Sequence, residues 1–147
     1  MTDGRVPRGD CFGEDGAVRI AVASDEAGAT VDAVRAWLGE AGHAVLDVAP
    51  DGTDWRDIGR LVGEAVAGGG ADAGVVCCWT GTGVSIAANK VDGVRAALCI
   101  DAETARGARR WNDANVLALS LRLTTPAVAG EVLDAFTTTA PDEPEPV

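Results

Sequence analysis

The chain has 147 residues, which is enough for one domain with a hydrophobic core and too few for two. Twelve basic against 23 acidic residues give a net charge of -11, so nucleic acid and anionic membranes are poor partners. No Cys-x-x-Cys spacing, signal peptide or membrane-spanning apolar run is visible, which predicts a cytoplasmic protein with four reduced cysteines: Cys11, Cys77, Cys78 and Cys99.

One α/β domain is predicted over residues 18–136, between two flexible ends. Residues 1–17 combine Gly, Asp and Arg without periodicity, and residues 137–147 are acidic and rich in proline. Five apolar runs between these ends are predicted strands: VRIAVAS from Val18, AVLDV from Ala44, AGVVCCW from Ala73, RAALCI from Arg95 and VLALS from Val116.

A predicted helix follows each strand. Apolar residues at helical spacing mark the first helix, which ends at Gly42, and the second, which ends at the glycines from residue 68. VSIAANK, AETARGARRW and a segment that is opened by TTP and ends near Phe136 are the other three. Because a parallel connection needs a crossover helix, this order predicts a three-layer, doubly wound, Rossmann-like domain with a five-stranded parallel sheet.

Ligands of such sheets bind beyond the carboxyl ends of the strands, where this chain has SDEAG, CCWTGTG and IDAET. In the third strand Cys77 and Cys78 point to opposite faces, so we expect Cys77 to pack against a helix and Cys78 to face the cleft. The turn after Cys78 leads into a helix whose first N–H groups lack partners, which favours an anion and a thiolate. A thiolate that moves a carbon-bound proton beside an enediolate-binding cradle would catalyse an aldose–ketose isomerisation.

Structural roles compete with this interpretation. Buried cysteines and glycine turns are common in α/β domains. Nucleotide binding is weakly supported, since no P-loop lysine is present and GTGVSI lacks the third glycine of a dinucleotide fingerprint. Other polar residues are expected to be structural or solvated: His43 at the surface, Asp101, Asp113 and Asn115 at helix ends and turns, and Arg106, Arg109 and Arg110 on a solvated helix face.

The block CWTGTGVSIAANK, followed by GVRAALCIDAETAR and NDANVLALS, resembles the ribose-5-phosphate isomerase B and galactose-6-phosphate isomerase family from Arg19 to about Phe136. The family pattern is C-G-T-G-x-G-x-S-I-A-A-N-K, in which the cysteine is the enediol base and the next threonine assists ring opening. The resemblance implies these roles for Cys78 and Thr80. It places the anion cradle on Gly81, Thr82, Gly83, Val84 and Ser85.

Three further residues match functional positions of the family. The resemblance implies that Asp25 contacts the sugar and that Arg122, after the fifth strand, binds a phosphate. Asn112 matches an asparagine that reaches the active site of the neighbouring subunit. It follows from the resemblance that the chain forms a homodimer or a dimer of dimers with shared active sites and needs neither a cofactor nor a metal.

The chain departs from the family pattern at several site positions. Glu26 and Trp111 stand where the family has histidines, the second of which opens the sugar ring, and Trp79 replaces a glycine. The family's basic carboxyl-terminal segment is replaced by PDEPEPV. Glu26 either accepts hydrogen bonds from sugar hydroxyls or is a solvated loop charge. In the histidine's place it would repel a phosphate by roughly 1 kcal/mol or more.

These departures favour an altered substrate. The tryptophans either fill space or reshape the pocket, and we favour the second interpretation. The chain is therefore interpreted as an aldose–ketose isomerase that acts on a sugar phosphate or a short open-chain sugar. The alternative is a non-catalytic sugar- or metabolite-binding protein that retains the fold without the acid–base histidines.

Overall fold

The computed structural model of the protein describes residues 17–142, so the expectations for residues 1–16, which include Cys11, and for residues 143–147 lie outside it. Five strands and five helices alternate in the order β1 (Arg19–Ser24), α1 (Ala29–Glu40), β2 (Ala44–Asp47), α2 (Trp55–Ala67), β3 (Ala73–Cys78), α3 (Thr82–Asn89), β4 (Ala96–Leu98), α4 (Ala102–Asn112), β5 (Val116–Ser120) and α5 (Pro126–Thr138).

The five strands form one parallel sheet in the order β2-β1-β3-β5-β4. All strands run in the same direction, but the side on which successive strands are added changes between β1 and β3. β2 lies on one side of this pair, and β4 and β5 lie on the other. A crevice opens at such a switch point beyond the carboxyl ends of the strands. The predicted doubly wound α/β class with a five-stranded parallel sheet is confirmed.

Helices cover both faces of the sheet, since the strand side chains alternate between two apolar clusters. Ile20 and Val22 pack into the cluster that includes residues of α1, α4 and α5. Ala21 and Ala23 pack into the opposite cluster, with residues of α2 and α3. Both faces of β1 and β3 are thereby buried, which fixes the positions at which these strands deliver their last residues.

Polar side chains set the helix ends. Asp54 accepts a hydrogen bond from the Arg56 N–H at 2.8 Å at the start of α2, and Asp101 accepts one from the Thr104 N–H at 2.8 Å at the start of α4. Asp113 ends α4 in the left-handed conformation with φ 52°. The predicted structural roles of Asp101 and Asp113 are confirmed.

Two polar residues that were expected at the surface are buried. His43 is 9% exposed, and its Nδ1 accepts a hydrogen bond from the Val18 N–H at 3.3 Å. Burial lowers the pKa of His43. Arg109 is 1% exposed and donates to the carbonyls of Ala114 at 2.6 Å and Thr139 at 3.0 Å. The solvated-face prediction for Arg109 is wrong, because the chain after α5 folds back over α4.

Candidate active site

A pocket of about 300 Å³ lies at the carboxyl edge of the sheet, where the ends of β1 and β3 meet. Its lining residues come from the segments after these strands and from the first turns of α2 and α3: Asp25, Trp55, Cys78, Trp79, Thr80 and Gly83. Five of the six were singled out from the sequence: Asp25, Cys78, Thr80 and Gly83 as candidate site residues, and Trp79 as a departure from the family pattern. IDAET, the third predicted strand end, does not line this pocket.

Strand alternation separates the two adjacent thiols as predicted. Cys77 is fully buried in the cluster of α1, α4 and α5, and burial raises its pKa to about 12. Cys78 lies on the other face, is 5% exposed and lines the pocket. Its Sγ accepts a hydrogen bond from the Gly81 N–H at 3.2 Å. Of the two adjacent thiols, Cys78 is therefore the one that faces the pocket.

Gly81 holds the turn between β3 and α3 in a conformation that other residues avoid. Its φ is +80°, and an added Cβ would lie 3.0 Å from the backbone nitrogen of Ser120 and 3.1 Å from the carbonyl carbon of Leu119. The turn therefore passes close to the end of β5. This approach aims the Gly81 N–H at Cys78.

The first turn of α3 leaves part of the predicted anion cradle available. The Thr82 N–H donates to Thr80 Oγ1 at 3.3 Å, and the Ser85 N–H donates to the Gly81 carbonyl at 3.3 Å. Helix geometry leaves the N–H groups of Gly83 and Val84 without partners inside α3. Val84 is fully buried, backbone included, whereas Gly83 lines the pocket. Within residues 17–142, Gly83 is therefore the predicted cradle residue whose N–H group is available to a ligand.

Asp25 presents an unpaired carboxylate oxygen in the pocket. Its backbone N–H donates to the Cys77 carbonyl at 3.1 Å, and its Oδ1 is buried without a hydrogen-bond partner among residues 17–142. Burial raises the pKa of Asp25, and the nearby carboxylates of Glu26 and Asp54 raise it further. Glu26 itself is exposed and does not line the pocket. Glu26 therefore affects the site through the repulsion between its carboxylate and that of Asp25.

The segment after β5 continues alongside the end of β3. The Arg122 N–H donates to the Trp79 carbonyl at 3.0 Å, and the Leu121 N–H donates to the Cys78 carbonyl at 2.9 Å. The Ser120 hydroxyl also donates to the Trp79 carbonyl, at 3.0 Å. The backbone of Arg122 is thereby fixed beside the pocket residues. Its side chain is exposed, and no acidic group within residues 17–142 forms an ion pair with it.

Trp111 and Asn112 lie at the opposite edge of the sheet from Cys78. They end α4, which runs back from the carboxyl edge, and the Asn112 carbonyl accepts a hydrogen bond from Arg95 just before β4 at 2.7 Å. Trp111 is 66% exposed, with its ring against Gly107. Within one chain the structure does not bring these two predicted site residues together with the pocket.

Trp55 also lines the pocket, although it was not among the residues selected from the sequence. It is the first residue of α2, and its six-membered ring lies on Gly83 in the first turn of α3. The contact depends on the packing of α2 against α3. The only local signal is an amphipathic residue directly after the Asp54 cap.

Asn89, which belongs to the block CWTGTGVSIAANK, has a structural role. Its side chain donates to the Ala96 carbonyl at 3.0 Å and accepts from the Ala96 N–H at 2.7 Å. This pair of hydrogen bonds joins the end of α3 to the start of β4. Asn115 similarly bonds the Arg95 N–H and the Gly93 carbonyl, so its predicted turn role is confirmed.

Two further properties concern the described part of the chain. Within residues 17–142 no three His, Cys, Asp or Glu side chains lie close enough together to hold a metal ion. None of the helices in this range has the length and apolar character needed to cross a membrane.

Comparisons with known proteins give concordant results. A family described as Ribose/Galactose Isomerase matches residues 20–145. Ribose-5-phosphate isomerase B of Escherichia coli is 40% identical over 106 residues, which cover 70% of this chain and 71% of the relative. D-erythrulose-4-phosphate isomerase of Pectobacterium atrosepticum is 34% identical over 122 residues, 80% of each chain. The solved structure of Clostridium thermocellum ribose-5-phosphate isomerase B has a TM-score of 0.81 at 37% identity, covering 85% of this chain and 87% of that one.

Proposed function

We infer that the chain, which belongs to the ribose/galactose isomerase family of aldose–ketose isomerases, uses Cys78 as the base that moves a proton between adjacent carbons of a short sugar phosphate. The observation that carries this proposal is the position of the Cys78 thiol. It lines the pocket, accepts a hydrogen bond from the Gly81 N–H at 3.2 Å and precedes the first turn of α3, where Gly83 also lines the pocket. The proposed base and the proposed oxyanion site therefore both lie in the short segment from Cys78 to the first turn of α3.

The proposed reaction is a proton transfer through an enediolate. The Cys78 thiolate takes the proton from the carbon next to the carbonyl, and the electron pair of that bond forms the carbon–carbon double bond. The thiol then returns the proton to the neighbouring carbon, while a hydroxyl proton passes between the two oxygens. The N–H group of Gly83, which lines the pocket, stabilises the negative oxygen. Asp25 Oδ1, which has no hydrogen-bond partner within residues 17–142, accepts a hydrogen bond from a substrate hydroxyl.

We propose a four-carbon sugar phosphate as the preferred substrate. A four-carbon sugar phosphorylated on its terminal oxygen cannot close a five-membered ring through that oxygen, so it needs no ring-opening acid. Trp111 replaces the histidine to which the family resemblance assigns that step. A relative that is 34% identical over 80% of this chain is named for D-erythrulose 4-phosphate, which supports the same substrate class. The exposed Arg122 is the candidate phosphate ligand.

Solvent deuterium exchange tests the chemistry with a matched pair of variants. We expect Cys78→Ala to abolish both isomerisation and deuterium incorporation into the sugar. Cys77→Ala, which removes a thiol from the opposite face of the same strand, should retain substantial activity. Equal losses in two folded variants would contradict the assignment. Substrate binding without exchange in the wild-type protein would favour the non-catalytic alternative.

A substrate panel tests the proposed chain length. We expect kcat/KM to be higher for four-carbon than for five-carbon aldose and ketose phosphates. Trp111→His should improve ribose 5-phosphate more than the four-carbon substrate, because only the former requires ring opening. A tenfold wild-type preference for ribose 5-phosphate, about 1.4 kcal/mol in transition-state stabilisation, would contradict the substrate proposal.

We also propose that two chains share each active site. Asn112 and Cys78 lie at opposite edges of one sheet, so Asn112 can reach a pocket only across a subunit interface. Large apolar side chains remain exposed for such an interface: Trp79, Ile86, Ile100, Trp111 and Leu123. Mixed Cys78→Ala and Asn112→Ala subunits should recover part of the activity lost by each variant alone. A protein that is monomeric and active at micromolar concentration would contradict the shared site.

A further inference from the structure

The ring of Trp55 covers the first turn of α3 beside the pocket. A Cβ added to Gly83 would lie 2.9 Å from Trp55 Cε3, 3.0 Å from Cδ2 and 3.3 Å from Cζ3. These three atoms are consecutive in the six-membered ring, so this side of the indole packs closely against the Cα of Gly83. Gly83 also lines the pocket and carries the available N–H group of the cradle. The indole therefore forms an apolar wall beside this donor, on the side of the Gly83 Cα.

Neighbouring charges hold the indole in this place. The Arg56 guanidinium lies 4.3 Å from the centroid of the Trp55 ring. The same guanidinium forms an ion pair with Asp54 at 3.3 Å. Trp55 thus contacts Gly83 and Arg56, which restricts the rotation of its side chain.

The loop before Trp55 is also anchored. Arg35, on α1, donates to Asp47 at 2.8 Å and to Asp51 at 3.2 Å, which ties the end of β2 and the next turn to one guanidinium. The Gly52 N–H donates at 3.2 Å to the carbonyl of the last residue of β1. Because both ends of this short loop are fixed, Trp55 enters the pocket on a rigid support.

We propose that Trp55 is a specificity-determining residue that limits the length of the sugar phosphate admitted beside Cys78. This inference rests on the proposed function, because it takes the pocket of Cys78 as the substrate site. A longer sugar would have to extend over the first turn of α3, where the indole already lies. Removing the indole exposes this surface and gives a five-carbon substrate room at the cradle.

The first test compares substrate lengths in variants. We expect Trp55→Ala to raise the ratio of kcat/KM for five-carbon over four-carbon phosphates at least tenfold, and Trp55→Leu to raise it less. Trp37→Ala is the matched control, since Trp37 contacts α5 at Gly130, away from the pocket. That control should leave the ratio within twofold. An unchanged ratio in folded Trp55→Ala and Trp55→Leu proteins would overturn the proposal.

A second test is independent of turnover. Calorimetry with two unreactive ligands, erythritol 4-phosphate and ribitol 5-phosphate, measures the same length preference by binding alone. Trp55→Ala should shift the ratio of dissociation constants towards the five-carbon ligand by at least fivefold. If this shift appears in a protein that isomerises no sugar, Trp55 keeps its role and the proposed function fails. If isomerisation is retained and neither ratio changes, the role of Trp55 fails alone.

A double-mutant cycle tests the contact itself. Gly83→Ala places a methyl group against the Trp55 ring, so it should weaken binding of the four-carbon ligand in the wild-type background. The same substitution should have at most one third of that effect in the Trp55→Ala background, where the ring is gone. Equal effects in both backgrounds would show that the indole does not set the shape of the cradle.

Discussion

Gly81→Ala should destabilise the protein and disturb the site together. Alanine at φ +80° costs roughly 1–2 kcal/mol relative to glycine because of its Cβ. That Cβ would lie 2.5 Å from the end of the Leu98 side chain, which can move, but also 3.0 Å from the Ser120 nitrogen and 3.1 Å from the Leu119 carbonyl carbon. Displacing this backbone costs a further 1–3 kcal/mol or so. We expect the free energy of unfolding to fall by about 2–5 kcal/mol.

Urea unfolding followed by circular dichroism measures this change, and Gly39→Ala is its control. Gly39 lies exposed in α1, and an added Cβ meets nothing within 4 Å, so the same substitution should stabilise the helix by about 0.5–1 kcal/mol. The two variants are therefore expected to change stability in opposite directions. A Gly81→Ala protein as stable as the wild type would refute the reasoning about both φ and close approach.

Three other perturbations have defined outcomes. Arg109→Ala should lower the free energy of unfolding by about 3–5 kcal/mol, because it breaks a buried ion pair and removes the donors to two carbonyls. In the same urea titration its control, Arg106→Ala on the exposed face, should cost less than about 1 kcal/mol. Because the pKa of Asp25 is raised, its ionised carboxylate destabilises the folded protein as the pH rises above the ordinary value of 3.8. Asp25→Asn should therefore raise Tm at pH 7 and lose this advantage below pH 3.8. The same variant should reduce kcat/KM. Because the pKa of His43 is lowered, its contribution to stability is present above pH 6.5 and lost as pH falls, so His43→Gln should flatten the fall in Tm between pH 7 and 5.

Local patterns were sufficient for the fold class and for the choice of thiol. Period-two alternation along β3 separates Cys77 from Cys78 without any knowledge of neighbouring strands. The position of the glycine turn after a buried strand likewise predicts the start of α3. Both inferences depend on residues that are adjacent in sequence.

The missed residues depend on contacts between distant segments. Trp55 enters the pocket only because α2 packs on α3 at Gly83, and its position directly after the Asp54 cap does not reveal this contact. Arg109 is buried by the chain around Thr139, thirty residues later. Its helical spacing from the buried Ala105 was the available signal, since residues four apart share a helix face.

Asp25, Cys78 and Arg122 lie at or just after the ends of the interior strands β1, β3 and β5, and this placement determines which unfolding events disrupt them. Each of these strands has a hydrogen-bonded neighbour on both sides, whereas β2 and β4 are edge strands of four and three residues. Edge strands open in local fluctuations, but interior amides exchange with solvent mainly when the whole domain unfolds. Amide protons around Cys78 should therefore be among the slowest to exchange with deuterium. Alkylation of its thiol through backbone opening would then report global unfolding rather than local breathing.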